Sequence, residues 1–422
     1  MIAAADTLTW AFALLLLMHT AVHLWLDWRQ SRHVLRHRAQ VPHAFAGQIT
    51  LEQHQKAADY SVAKLRLGQI HVLYSAACLL GWTLFGGLNA LNQAITGAWG
   101  VQWWTALLVL GAVAWLQSLL DLPFAWWRTF RLEARFGFNR SSMGLWLSDL
   151  LKGWVLGAVL MAPLAAAVLW LMDHSGGLWW LWAWGLWVAF SLAMMVAYPK
   201  WIAPRFNRFE PLGDGALKTA ITGLMTRCGF TAKGLFVMDG SKRSAHANAY
   251  FTGLGQAKRV VFFDTLMQRL SEAEMLAVLA HELGHFKRGH IPKRMLMMFG
   301  SALIGLAVLA GLSEQPWFYF GLGVSPNMNG SNSALALLLF FLVVPLPMFF
   351  LTPLMSAYSR RHEFEADDYA AQHADASDLG QALIKLTQDN ASTLTPDPMY
   401  VRFYYSHPPT LQRLQHLGVA GA

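Results

Sequence analysis

The 422-residue chain is 55% hydrophobic and only 13% charged, with a mean hydropathy of +0.35. This composition is too apolar for a soluble globular protein. The net charge of +8 would suit a nucleic-acid partner, but the placement of the basic residues along the chain favours a role in membrane orientation. With only two cysteines, a disulfide framework and a cysteine-rich zinc site are both excluded.

Several apolar runs have the length that crosses a bilayer, and their interiors lack Lys and Arg. The predicted spans are residues 8–26, 70–95, 103–124, 153–172, 177–198, 295–312 and 334–357. The first run has no basic residue ahead of it, which favours a retained span over a cleaved signal peptide. Near the end of the second run, Asn89 and Asn92 would either line a wet cavity or bind a neighbouring helix.

The basic residues all fall on one predicted side of these spans. All 32 Lys and Arg lie in four segments, whereas the N-terminus and the alternate connections contain none. By the positive-inside rule, the N-terminus faces outward and the basic segments face the cytoplasm. The sequence therefore predicts spans one to five with cytoplasmic loops 27–69 and 121–152 (1–199), a cytoplasmic domain (200–294), spans six and seven (295–357) and a C-terminal cytoplasmic segment (358–422).

The predicted cytoplasmic domain begins with a helical pattern over Pro211 to Gly229. A capping box formed by Ser271 and Glu274 then predicts the start of another helix. Between them lie short runs rich in β-forming residues, bounded by turn residues, which predict a small sheet. These runs are Leu235–Met238, Ala249–Thr252 and Arg259–Phe263.

The second of these helices contains an HExxH motif at residues 281–285. Two histidines four positions apart lie on one helical face, where both imidazoles can reach one zinc ion. Glu282, next to the first histidine, is placed as the general base of a metal-dependent hydrolase. A metzincin would have Gly at 288 and His at 291. The sequence has Arg288 and Ile291, which excludes that class.

A catalytic zinc site normally has three protein ligands. His281 and His285 supply two, and the acidic segment after the last span offers the third. Glu363 and Asp367 share a helical face, so Glu363 could bind zinc while Asp367 hydrogen-bonds the outer nitrogen of a ligand histidine. Glu365 is the alternative ligand, and a solvated acidic helix face is the alternative interpretation.

Several motifs extend this pattern over most of the chain. They are HELGHFKRGH at 281–290, SRRHEFEAD at 359–367, E-x-x-x-G-F-N at 133–139, P-x-F-N-x-F-x-P-L at 204–212, S-x-H-x-N-A-Y-F at 244–251, F-D-T-L at 263–266 and S-H-P-P-x-x-x-R at 406–413. Together with the seven predicted spans, they resemble the type I CAAX prenyl endopeptidases, which are integral-membrane zinc proteases.

The resemblance implies an all-α polytopic membrane protein. Seven transmembrane helices would surround a water-filled chamber, with a gluzincin-like zinc protease domain containing a small β-sheet. The implied site comprises one Zn²⁺ with ligands His281, His285 and Glu363, the base Glu282, the orienting residue Asp367, His407 and Arg413 beside the scissile carbonyl, and Asn248 and Ala249 beside an extended substrate. The implied activity is removal of the last three residues of prenylated CaaX proteins. The partners are then a peptide or protein substrate and the bilayer, with no nucleic acid.

Two other functions stay open. One is membrane-protein quality control, as in the heat-shock membrane metalloproteases, which are shorter and lack this N-terminal half. The other is a non-catalytic scaffold with a structural zinc, against which the presence of Glu282 argues. His290 and His362 are expected to be packed residues rather than ligands. The compact connections and the C-terminus, which lacks a retrieval signal, favour a bacterial inner membrane over the endoplasmic reticulum.

Overall fold

Helices dominate the computed structural model, which describes residues 2–230, 234–252, 259–328 and 330–419. The helices are α1 (Ile2–His37), α2 (Leu51–Trp82), α3 (Gly87–Trp99), α4 (Trp103–Trp127), α5 (Met143–His174), α6 (Trp179–Ala197), α7 (Ala216–Arg227), α8 (Asp264–Met267), α9 (Glu272–Lys287), α10 (His290–Ser313), α11 (Pro316–Phe320), α12 (Ser333–Val343), α13 (Pro345–Phe349), α14 (Thr352–His373), α15 (Ala376–Asp389), α16 (Pro398–Tyr404) and α17 (Thr410–His416).

Five helical segments of the described chain are long and apolar enough to cross a membrane unaided. They are Ile2–His37, Trp103–Glu133, Met143–His174, Gly176–Arg205 and His290–Ser313. At most 11% of the residues in the most apolar window of each are fully buried, so most of these side chains keep exposed surface that a bilayer could cover. Two pairs of helices, each bent at a short break, are long and apolar enough only when taken together. Counting each pair once gives seven spans, in agreement with the sequence prediction.

The second predicted span is broken, with α2 and α3 inclined by 44°. The chain turns at Gly86, whose φ of +79° is a left-handed conformation that favours glycine. Beyond the break, the Asn89 side chain accepts from the backbone N–H of Ser325 at 3.0 Å, and Asn92 donates to the Asn327 side chain at 2.9 Å. Both asparagines thus bind the segment that precedes α12.

The seventh predicted span is also broken. Its apolar run is divided into α12, α13 and the start of α14, and α14 is inclined by 65° to the preceding pair. Pro345 is the first residue of α13, and Pro353 lies in the first turn of α14. Proline removes a backbone donor and clashes with the preceding turn, so it interrupts a long helix. The change of direction leads α14 away from the span and toward α9.

A four-stranded sheet lies between the fifth and sixth spans in sequence, in the order β1-β2-β4-β3. Its strands are β1 (Phe209–Pro211), β2 (Gly234–Met238), β3 (Ala249–Thr252) and β4 (Arg259–Phe263). The three predicted strands are confirmed. The short β1 was not predicted, since Pro211 was assigned to a helix; proline is tolerated here because β1 is an edge strand. The predicted helix after it begins only at Ala216. β2 and β4 run parallel, and the other pairs are antiparallel.

One hydrophobic core joins this sheet to the helices around it. Buried side chains from α7, β4, α9, α14 and α15 all belong to it, for example Ile221, Val260, Leu279, Tyr369 and Leu383. The predicted domain 200–294 and the C-terminal segment therefore bury their apolar faces against each other, although two spans separate them in sequence. This shared core fixes α14 against α9.

Candidate metal centre

The N-terminus of α9 is held by the predicted capping box. The backbone N–H of Glu274 donates to the Ser271 hydroxyl at 3.3 Å, and the Ser271 N–H donates to the Glu274 carboxylate at 2.7 Å. These contacts satisfy two N–H groups that a helix start leaves without partners. The helix then continues to Lys287, so that both histidines of the HExxH motif lie within it on one face.

Glycine at position 284 lets α14 approach this face closely. A Cβ atom there would lie 3.0 Å from both the Cα and the carbonyl oxygen of Ala366, and 3.1 Å from Cβ of Tyr369. The two helices are therefore in backbone contact at this point. Because Glu363 lies one turn before Ala366 on α14, the same approach carries its carboxylate to the two histidines.

His281, His285 and Glu363 form a compact triangle of possible ligand atoms. The two Nε2 atoms are 3.3 Å apart, and they lie 3.5 and 3.4 Å from Oε2 and Oε1 of Glu363 respectively. Ligand atoms about 3.3–3.6 Å apart are what a tetrahedral site with metal–ligand distances of about 2.0–2.2 Å requires. The three residues therefore fit a metal ion.

The Glu363 carboxylate gives a second sign of this fit. Its side chain is 1% exposed, and its Oε2 lies 3.5 Å from Nε2 of His281 and 2.7 Å from Nδ1 of His407, but neither contact is an aligned hydrogen bond. A buried carboxylate is costly unless positive charge offsets its own charge. A cation between the three side chains would satisfy it.

The outer nitrogen of His281 is bound by a buried ion pair. Nδ1 lies 2.8 Å from Oδ1 of Asp367 and 3.2 Å from Nη2 of Arg413. The Arg413 guanidinium also donates through Nε to Oδ2 of Asp367 at 2.8 Å, which makes that pair bidentate. Burial and the Arg413 charge lower the pKa of His281, but the Asp367 and Glu363 carboxylates outweigh them, and the net pKa shift is upward. The local field at this nitrogen therefore favours positive charge.

The outer nitrogen of His285 meets a different partner. Its Nδ1 lies 2.8 Å from Nδ1 of His290, whose Nε2 lies 3.1 Å from Oε2 of Glu365. Burial and the nearby His281 lower the pKa of His285 to about 3, so its imidazole is neutral. Sequence reasoning missed this contact. His290 belongs to the next helix, after a turn at Gly289 with φ of +67°, and helical spacing cannot predict what crosses such a turn.

Two further predicted residues lie around the triangle. Burial raises the pKa of the half-buried Glu282 carboxyl. Nδ1 of His407 lies 2.7 Å from Oε2 of Glu363, and the His407 side chain is 65% exposed, so it borders the open side of the cluster. Arg413, by contrast, is buried behind the outer nitrogen of His281, away from the Nε2 side. The structure thus brings His407, but not Arg413, to the open side.

The predicted substrate-binding residues lie at the start of β3, the outer strand of the sheet. Asn248 is exposed, its carbonyl accepts from the Phe263 N–H at 3.0 Å, and its side chain accepts from the Ala249 N–H at 2.8 Å. β4 pairs with one edge of β3, and no described strand pairs with the other. An outer edge of this kind can accept an extended peptide.

Two family models match the chain in succession. The first is described as the CAAX prenyl protease N-terminal region with five membrane helices and matches residues 30–208. The second is peptidase family M48 and matches residues 211–419. The spans, the His–His–Glu cluster and these matches define a multi-pass membrane metalloprotease.

Similar proteins and a similar solved structure show to which branch of this family the chain belongs. The CAAX prenyl protease 1 homolog of Arabidopsis thaliana is 34% identical over 395 residues, or 89% of each chain. CAAX prenyl protease 1 of Saccharomyces cerevisiae is 34% identical, over 89% of this chain and 88% of that protein. The crystal structure of S. mikatae Ste24p matches with a TM-score of 0.89 and 29% identity, covering 97% of this chain and 98% of that one. The chain belongs to the CAAX prenyl protease branch of peptidase family M48.

Proposed function

We propose that the chain is a zinc endopeptidase that removes the C-terminal three residues of prenylated CaaX substrates. The observation that carries this proposal is the cluster of two imidazole nitrogens, 3.3 Å apart, with one oxygen of the Glu363 carboxylate 3.5 Å from the first and the other 3.4 Å from the second. Two nitrogens and one oxygen suit zinc in tetrahedral coordination with one position left for water. The substrate class is supported by the names of the relatives, which are CAAX prenyl proteases.

In this proposal His281, His285 and Glu363 hold the ion, which when bound supplies Lewis-acid activation of water and of the peptide carbonyl. Glu282 takes a proton from the attacking water and passes it to the leaving amine. Its raised pKa brings the carboxyl closer to the range in which it can exchange a proton near neutral pH.

His407 is proposed to donate to the carbonyl oxygen as negative charge develops on it. Its exposure beside Glu363 supports that role. For Arg413 the buried pairing with Asp367 supports a positioning role, in which it fixes the carboxylate that orients His281. Asn248 and Ala249 are proposed to hold an extended substrate along the outer edge of β3.

The proposal includes the topology predicted from the sequence. The N-terminus lies outside, and residues 200–294 and 358–422, with the metal centre, lie on the cytoplasmic side, as the distribution of Lys and Arg supports. The eukaryotic relatives favour the endoplasmic reticulum, whereas the compact connections between the spans favour a bacterial inner membrane. Fractionation of the native cell distinguishes these compartments.

The test is cleavage of matched CaaX peptides, farnesylated and unprenylated, by the full chain purified in detergent. The proposal expects release of the C-terminal tripeptide, preference for the farnesylated peptide, and loss of activity with a zinc chelator and in Glu282→Gln. Equal cleavage of the farnesylated and unprenylated peptides would instead favour a function in membrane-protein quality control. Stoichiometric zinc with no cleavage of either peptide would favour the scaffold function.

A further inference from the structure

A line of hydrogen-bonding side chains leads from the candidate metal centre toward the surface. Nδ1 of His285 lies 2.8 Å from Nδ1 of His290, and Nε2 of His290 lies 3.1 Å from Oε2 of Glu365. The other carboxylate oxygen of Glu365 accepts from Nε of Arg361 at 3.1 Å. Three helices contribute to this line. His285 belongs to α9, His290 is the first residue of α10, and Arg361 and Glu365 belong to α14.

The protons on this line can be assigned from its ends. Nε2 of His285 faces Glu363 and must be unprotonated to bind a metal ion, so its proton is on Nδ1. That Nδ1–H then donates to Nδ1 of His290, which must accept. The remaining His290 proton is on Nε2 and is donated to Glu365. One arrangement of neutral imidazoles satisfies every contact.

The middle residue of this line is held rigidly. His290 is 1% exposed, and its ring stacks on that of His362 with centroids 3.9 Å apart and planes 7° from parallel. The tight turn at Gly289 separates it from α9. Hydrogen bonds at both ring nitrogens, to His285 and to Glu365, fix the orientation of this ring, and the His362 ring covers one of its faces without bonding either nitrogen.

We propose that His290, anchored by Glu365, is a positioning residue that fixes the tautomer and ring orientation of the metal ligand His285. This inference rests on the proposed zinc site. The two ligand histidines are then oriented by different kinds of partner. His281 is oriented directly by a carboxylate, that of Asp367, whereas His285 is oriented by a carboxylate acting through a second imidazole. Outer partners of this kind typically change metal affinity by about 10- to 100-fold.

The experiment measures zinc affinity of the full chain in detergent by competition with a chromophoric chelator. His290→Leu keeps an apolar side chain in the buried space but cannot accept from His285, and a 10- to 100-fold weaker affinity is expected. Glu365→Gln keeps the shape of the anchor and can still accept from His290, so a smaller loss is expected. His362→Leu is the matched control. It removes the stacked ring but no member of the hydrogen-bonded line, and less than a threefold change is expected.

A second measurement separates positioning from general packing. With Co²⁺ in place of zinc, His290→Leu should change the visible ligand-field spectrum, and His362→Leu should leave it as in the parent chain. If His290→Leu does not fold, His290→Phe, which keeps a ring against His362 but cannot accept from His285, carries the same comparison. Parent-like zinc affinity and Co²⁺ spectra in the folded variants of His290 and Glu365 would overturn the inference. If the parent chain itself binds no zinc, or His285→Ala binds it fully, the proposed zinc site fails instead.

Discussion

Gly284 of α9 lies directly against the backbone of Ala366 of α14, with only 3.0 Å from the position of a Cβ at 284 to the Ala366 Cα and carbonyl oxygen. This one approach links the fold to the metal centre. Contact between two helix backbones leaves no room for a side chain, and neither backbone can move without moving its helix. The separation of Glu363 from the two histidines therefore depends on the absence of a methyl group at 284.

Gly284→Ala should accordingly weaken both the fold and the site. Overpacking at a rigid contact typically costs about 1–3 kcal/mol. A shift of α14 by a few tenths of an ångström would also distort the ligand triangle and lower zinc affinity. Gly223→Ala on α7 is the matched control, since its Cβ would meet only the end of Arg227 at 3.8 Å. That change should be neutral or stabilising. Thermal unfolding and chelator competition measure both effects, and a zinc affinity unchanged in Gly284→Ala would argue against this dependence.

Glu282→Gln separates metal binding from turnover. The amide has the size of the carboxyl but cannot take a proton, and Glu282 is not one of the three ligand residues. Zinc content by elemental analysis should stay near one per chain, while kcat on a farnesylated peptide falls by roughly 10²–10⁴. The opposite result, with zinc lost and turnover per bound ion unchanged, would show that Glu282 helps to bind the metal and is not the proton acceptor.

The spans and the local elements of the protease domain followed from sequence because each carries its own signal. Apolar length predicted seven spans, and the Ser271 capping box predicted the start of α9. The bends within two spans were not foreseen. Gly86 lies at the first bend and Pro353 at the start of the helix that follows the second, and the effect of one such residue on direction is lost in a hydropathy average.

At the metal centre, the residues on one helix were predictable and the contacts between helices were not. Helical spacing pairs His281 with His285, and Glu363 with Asp367. The way α14 crosses α9 decides which acidic side chain reaches these histidines. It brings the Glu363 carboxylate to His285 and directs Glu365 to His290 instead. Arg413 was expected beside the scissile carbonyl from a motif alone. Its buried contact with Asp367 comes from tertiary packing, which no local pattern encodes.

His407 and Arg413 should differ in what their loss changes. His407→Asn removes a group on the open side of the site, so kcat should fall by roughly 10²–10³ while zinc affinity is retained. Arg413→Met leaves Asp367 buried without its cation, so zinc affinity should fall about tenfold or more, while turnover per bound zinc stays near that of the parent chain. Steady-state kinetics at saturating zinc, together with chelator competition, distinguish the two. A fall in kcat with unchanged zinc affinity in Arg413→Met would restore the carbonyl-facing role.

The capping box at the start of α9 should make stability depend on pH through Glu274. Its carboxylate accepts from the Ser271 N–H at 2.7 Å and from Lys385 of α15 at 2.8 Å. Burial raises the pKa of Glu274, but these hydrogen bonds outweigh it and bring the pKa below the ordinary 4.5. Because the pKa of Glu274 is lower in the folded chain than in the unfolded chain, its contribution to stability is complete above pH 4.5. That contribution is lost as the pH falls through the pKa of the folded chain.

Glu274→Gln should therefore unfold at a temperature a few degrees below that of the parent chain at pH 7, and this gap in unfolding temperature should close below pH 4.5. Glu272→Gln, an exposed change in the same helical turn, should show a much smaller gap. A gap for Glu274→Gln that stays constant across this range would show that the charge of Glu274 does not stabilise the helix.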